Sequence, residues 1–325
     1  PGATVSVPLY LSALTDRYAG QRLVLRASLR SWDAFGSERV APVGTALDVM
    51  SNAWQCGPLD PLEITLPAEP SVCVVAAWLE DAAGCVLARN FTTFVVRDGE
   101  QPRQARLARG GAAVQVVRAA PKAFTASAWS LKQWEVLGGL KVNGTGKGFF
   151  EYRLPWPAGL RAEGVSSAAF MAELSAKRLN GKDAADAADM DGDYMRGLGA
   201  HDPSRNPNSY PMTDGYRHAG AVRVSVGGRV IGIIDLPDDP ADHRGILSWQ
   251  AQKKDGTLAE SGSYGYLVSV TIPQPLLAQA EKDSFMTLRL EADEALAAGL
   301  AVCGERFGRY PLDPTLVLTL RDGRP

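Results

Sequence analysis

Short apolar runs, each cut off by turn residues, recur along this chain, and that punctuation limits the fold more than any other feature. In the first hundred residues VSVPLYLSAL, RLVLRASLRSW, LEITLPA, VCVVAAWLED and VLARNFTTFVV are rich in Val, Leu and Thr. Such residues suit a pleated, half-buried surface, and strands spaced this way predict an all-β sandwich. CVVAAWLEDAAGCVLARNFTTFV is the clearest hairpin, turning through Asp81-Ala82-Ala83-Gly84. Asp bonds readily to backbone just after itself, and Gly supplies the positive φ that a tight turn needs. Trp78 is the expected anchor of the core between the sheets.

The first sandwich is assigned to residues 1–97. RDGEQPRQARLARGG then interrupts the pattern, charged and without sustained period, so 98–111 reads as a linker. Residues 112–325 open with AAVQVVRA and continue through FFEYRLPW, SSAAFMAELSA, YGYLVSVTIP, FMTLRLEAD and TLVLTLRD. AVRVSVGGRVIGIIDL is a second hairpin, with Gly227-Gly228 supplying the two positive φ angles of a tight turn. PQPLLAQAEKD predicts a short helix beginning after Pro273. A second antiparallel sandwich, of jelly-roll type, accommodates this order.

Bulk properties exclude several functions. The formal net charge is -2 and no Lys/Arg run forms a basic patch, which argues against nucleic acid as a partner. No apolar stretch approaches the roughly 20 residues that span a bilayer. The chain starts abruptly at PGATVSVPLY, which predicts a fragment or processed product. Cys56, Cys73, Cys85 and Cys303 form no CxxC pair. In the expected hairpin register Cys73 and Cys85 stand several pairs apart, so the cysteines read as buried free thiols and leave the compartment open.

The loops carry the chemistry. HDPSRNPNSYPMTDGYRHAG, from His201 to Gly220, cannot build a core, yet strand-like sequence lies on both sides. Loops longer than about 12–15 residues inside a compact domain are uncommon and are usually functional or disordered. Core strands fix both ends of this one, so it reads as an ordered loop carrying Asn206, Asn208, Tyr210, Asp214 and His218. DHRGILSWQ adds His243 and Trp249, and SAWSLKQWEVL adds Trp129 and Trp134. Sugars suit such an inventory: their C–H faces pack on aromatic rings, and their hydroxyls need amide and carboxylate partners. Carbohydrate is therefore the expected partner. The competing reading is that the Trp residues are core and the polar residues hold their own loops.

Other motifs point less far. Asp189, Asp191 and Asp193 alternate in DMDGDYMRG as oxygen ligands do around calcium. Tyr194 and Ala200 stand where an EF-hand needs Gly and Glu, so the segment is either a non-EF calcium loop or a hydrated turn. NGTGKGFF fails a phosphate-loop frame at Lys141 and Gly148 and reads as a glycine-rich turn. His201, His218 and His243 show no zinc spacing, and no Gly-x-Ser-x-Gly elbow occurs.

SAWSLKQWEVLGGLKVNGTGKGFFEYRLPWP, FMAELSAKRL, GDYMRG, DPSRNPNSYPMTD, DLPDDPADHRGILSW, GSYGYLVSV and ERFGRYPLDPTLVL together resemble the C-terminal region of bacterial glycoside hydrolase family 2 proteins of the β-galactosidase and β-mannosidase type. WLEDAAGCVLARNF is similar to the immunoglobulin-like sandwich following the catalytic barrel in that group, and AVRVSVGGRVIG resembles a hairpin of galactose-binding-like jelly rolls. The resemblance implies a non-catalytic accessory region that binds glycan or shapes the substrate entrance of an upstream catalytic domain. Localisation is left open, with a soluble protein of the bacterial periplasm or exterior as one expectation. No barrel pattern occurs here, so no catalytic residue is transferred. Two alternatives stand beside it: a structural or oligomerisation module, and a small hydrolase using a loop His with acidic residues.

Overall fold

Strand β2, Arg22–Asp33, shows how alternation builds the first unit: Leu23, Leu25, Ala27 and Leu29 are buried, and Arg22, Arg26 and Arg30 face solvent. Side chains along a strand point alternately to the two faces of its sheet, so one apolar register makes one buried face. The computed structural model describes residues 1–44, 46–109, 111–177, 219–237, 265–293 and 299–321. The chain divides into two compact units, Pro1–Glu100 and Gln101–Pro325, and the strand pairs in both are antiparallel. The architecture is all-β, built of sandwiches, as the sequence predicts.

In the first unit β1 (Thr4–Ala13) pairs with β5 (Gln55–Thr65). The facing sheet runs β3 (Glu38–Pro42), β2, β6 (Ser71–Glu80), β7 (Val86–Val96), with β4 (Leu47–Met50) also on β2. Leu62 and Ile64 from one layer pack with Ala27, Leu29, Cys73 and Val75 from the other. The β6–β7 turn falls where expected: Gly84 takes φ +79°, and Asp81 Oδ1 accepts from the Ala83 and Cys85 N–H groups at 2.9 Å each.

Two expectations need correction here. Trp78 does not anchor the core between the sheets. Cys73, Val75 and Leu79 hold the inward register of β6, which turns Trp78 to the outer face. There it pairs with Arg26 and Arg89, and its indole N–H donates to Glu80 Oε1 at 2.7 Å. The cysteines are also not uniformly buried: Cys73 and Cys303 are, but Cys56 and Cys85 are exposed, near a strand start and just past a turn. Burial pushes the Cys73 thiol up to about 11.

The stretch 98–111, expected as a linker, holds β8 (Gln104–Arg109), which pairs with β9 (Ala112–Arg118). Gln104, Arg106 and Arg109 in so short a run hide the strand from a composition-based reading. Among the described residues the second unit then has two sheets. The smaller contains β10 (Ala126–Trp129), β13 (Gly148–Pro155), β18 (Phe285–Ala292), β15 (Gly220–Val226) and β16 (Arg229–Leu236), in that order. The larger runs β11 (Lys132–Val136), β12 (Lys141–Thr145), β19 (Gly299–Cys303), β14 (Val165–Lys177), β20 (Thr315–Leu320), β9, β8, with β17 (Tyr266–Thr271) also on β14.

Phe150 and Tyr152 from β13, Leu288 and Leu290 from β18, and Phe170 and Leu174 from β14 meet in the core between these sheets. The Tyr152 hydroxyl donates to the Pro121 carbonyl at 2.7 Å, satisfying its polar end inside the core. Gly227 and Gly228 take φ +56° and +80° at the β15–β16 turn. Helix α1, Gln274–Asp283, starts after Pro273 and buries Leu277 and Ala280.

Candidate functional site

The larger sheet of the second unit has a buried polar side. Val142, Leu174, Leu300 and Val302 join the core, so residues between them on β12, β14 and β19 lie on the opposite face. Register then assembles rows across four strands. One row is Trp134–Asn143–Ala301–Ser175, one residue each from β11, β12, β19 and β14. The next is Val136–Lys141–Cys303–Glu173. On the other side Lys132 pairs with Thr145, and Lys177 with Gly299. Lys141, Asn143, Thr145, Glu173, Ser175 and Lys177 are each at most 3% exposed.

Most of this polarity is satisfied. Glu173 Oε1 accepts from the Gly265 and Arg309 N–H groups at 2.6 and 3.0 Å, and Oε2 accepts from the Tyr310 N–H at 2.8 Å. Burial pushes its carboxyl above the ordinary glutamate range, while those three donors and the Lys141 charge pull it down. The Lys141 ammonium stands 5.3 Å from the Phe307 ring centroid. Asn143 Oδ1 and Ser175 Oγ differ: both are buried and neither has a hydrogen-bond partner among the described residues. They belong to the same row, two strands apart. At that row's outer end Trp134 is half-buried, with the Lys132 ammonium 5.4 Å from its ring centroid.

The two tryptophans read as sugar platforms are not together. Trp129 lies on β10 in the smaller sheet, and its ring packs at 5.0 Å on Phe150 beside the core. A Cβ at Gly144 or Gly148 would overlap its indole, so these glycines of NGTGKGFF make room for a ring. Trp134 is on the larger sheet, in the polar row. Asn206, Asn208, Tyr210, Asp214, His218, His243 and Trp249 lie outside the described residues, as do the calcium candidates Asp189, Asp191 and Asp193. Among the described residues no three His, Cys, Asp or Glu side chains gather to hold a metal ion. No helix there is long and apolar enough to cross a membrane.

Sequence reasoning missed Lys141, Asn143, Glu173 and Ser175. One signal was present: in FMAELSAK the polar residues Glu173, Ser175 and Lys177 recur with period two inside an apolar strand. That is the mark of a strand with one polar face.

Against known proteins, no family model matches this chain and no curated protein does. Among solved structures, it is similar to the N-terminal CBM22-1–CBM22-2 tandem domain from Paenibacillus barcinonensis Xyn10C. The identity is 11% and the TM-score 0.23, over 98% of this chain and 79% of that one. A score of that size carries no weight for function, which has to be read from the chain's own residues.

Proposed function

We propose that the second unit binds carbohydrate on the polar face of its larger sheet, as an accessory region of a glycoside hydrolase. The observation that carries this is the row holding Trp134, Asn143 and Ser175, with two buried polar atoms lacking partners. A buried acceptor or hydroxyl without a partner costs about 1–3 kcal/mol, and a sugar hydroxyl is a donor and acceptor of the right size to relieve it. Trp134 supplies an apolar ring at the end of the same row, which suits the C–H face of a pyranose. Asn206, Asn208, Tyr210, Asp214, His218, His243 and Trp249 remain proposed contributors, and Trp129 packs on Phe150 beside the core. A calcium ion held by Asp189, Asp191 and Asp193 is part of the same proposal.

Isothermal titration of the chain against plant and bacterial oligosaccharides tests this. Binding that is lost in Trp134→Ala and Asn143→Ala supports it. No heat with any sugar, and no retention in polysaccharide affinity gels, overturns it.

For the first unit a scaffold or interaction role is the better reading. Its outer sheet face carries Val40 at 57% and Phe91 at 70% exposure beside half-buried Trp78. Exposed apolar side chains grouped on one face mark contact surfaces. Retention of sugar affinity by residues 101–325 alone would support this division; loss of affinity with a folded second unit would overturn it.

A further inference from the structure

The row beside Asn143 and Ser175 ends in a carboxylate that already accepts three main-chain hydrogen bonds. Both Glu173 oxygens are occupied by main-chain N–H groups from two separate segments: Gly265, just before β17, and Arg309 and Tyr310, in the turn after β19. Gly308 lies so close that a Cβ there would overlap the carboxylate. We propose that Glu173 is the positioning residue of the binding face: its carboxylate fixes the turn and the start of β17 beside the Asn143–Ser175 row. The proposal rests on the carbohydrate reading above.

The geometry favours positioning over direct contact. An ionised carboxylate only accepts, and here three short donors already converge on it. It stands one row from Asn143 and Ser175, on the same strand as Ser175, so any shift in its anchors moves the edge of the face. The charged and titratable groups around it are Lys141 from β12, Cys303 from β19, and Arg309 and Tyr310 from the turn. Burying a carboxyl carries a large desolvation cost, which the directed main-chain donors offset only in part.

Glu173→Gln separates this role from simple packing. The amide keeps the shape but has one acceptor oxygen. That oxygen can stay with Gly265 and Arg309, which share Oε1, and the NH₂ then opposes the Tyr310 N–H. Amide exchange at Tyr310 should rise selectively, the Asn143 side-chain and Ser175 backbone resonances should shift, and sugar affinity should fall about tenfold. Gly308→Ala removes no polar group but pushes the turn off the carboxylate, and should give the same three changes. If Glu173→Gln does not fold, Gly308→Ala decides. Wild-type affinity in the folded variants overturns the proposal, as do unmoved Asn143 and Ser175 resonances. If the wild type binds no sugar, the carbohydrate reading falls by itself, and the exchange and resonance changes still decide whether Glu173 positions this face.

Discussion

The two units treat the polar side of a sheet in opposite ways. In the first, the outer face of β2 and β6 is open: Arg26 pairs with Glu80 at 2.7 Å and Arg30 with Glu38 at 3.2 Å, both arginines exposed. In the second, the polar side of β12 and β14 is buried, with Glu173 held by three main-chain donors and Asn143 and Ser175 holding an unpartnered atom each. Solvated charges cost little to keep and return little. Buried polar atoms are expensive, and the expense is highest where no partner offsets it. That difference is why the proposed binding face is sought on the second unit's larger sheet.

The sharpest way to break the comparison is to delete equivalent acids. Glu173→Ala should cost the second unit about 3–5 kcal/mol, because three buried N–H donors lose their acceptor and the buried Lys141 loses a nearby opposite charge. Glu80→Ala should leave the first unit's unfolding midpoint almost unchanged, since water replaces Glu80. Urea unfolding followed by peptide-resolved hydrogen exchange reads both units at once. Equal losses would erase the distinction.

A backbone effect comes next. Gly84→Ala should cost the first unit about 1–2 kcal/mol from its left-handed backbone alone, since nothing lies within 4 Å of the added Cβ. Gly308→Ala, which meets the Glu173 carboxylate, should cost the second unit more in the same assay.

Ser175→Ala reverses the sign. Removing a buried hydroxyl without a partner should stabilise the second unit by about 1 kcal/mol while weakening sugar binding. Ser28→Ala, on the outer face of β2, should change neither thermal unfolding nor binding.

Acid gives the smallest effect, with opposite directions. Hydrogen bonds from Arg22 and Arg26 hold the Asp48 and Glu80 carboxyls below the usual range. Their contribution is present above the unfolded carboxylate value and is lost as pH falls through the folded values. Burial raises Glu173, so its contribution is present below the unfolded glutamate value and is lost as pH rises through the folded one. On acidification the second unit should regain stability before the first unit loses its pairs. Calorimetry of wild type and Glu173→Gln across that range should show this gain only in the wild type.

Hairpins and helix start were legible because single residues set them: Asp81 and Gly84, Gly227 and Gly228, Pro273. Trp78 misled because size suggested burial, whereas the alternation of Cys73, Val75 and Leu79 fixes its face. KVNGT did not read as a strand because β12 is buried on both sides and carries Lys141, Asn143 and Thr145 on one of them. Asn143 and Ser175 become neighbours in a row only through β19, whose register no local pattern encodes. Glu173 was visible as an acid in an apolar strand, but its partners lie about 90 or more residues away, beyond any local pattern.

Glu173 reads only main-chain N–H groups at positions 309 and 310. The side chains there are thus under no demand from the contact, although Gly308 beside them is. A substitution at Arg309 or Tyr310 would leave the Glu173 anchor in place, because the donors are main-chain N–H groups. The fixed point of this sheet is thus held by backbone, and any demand on the Arg309 and Tyr310 side chains comes from contacts other than Glu173.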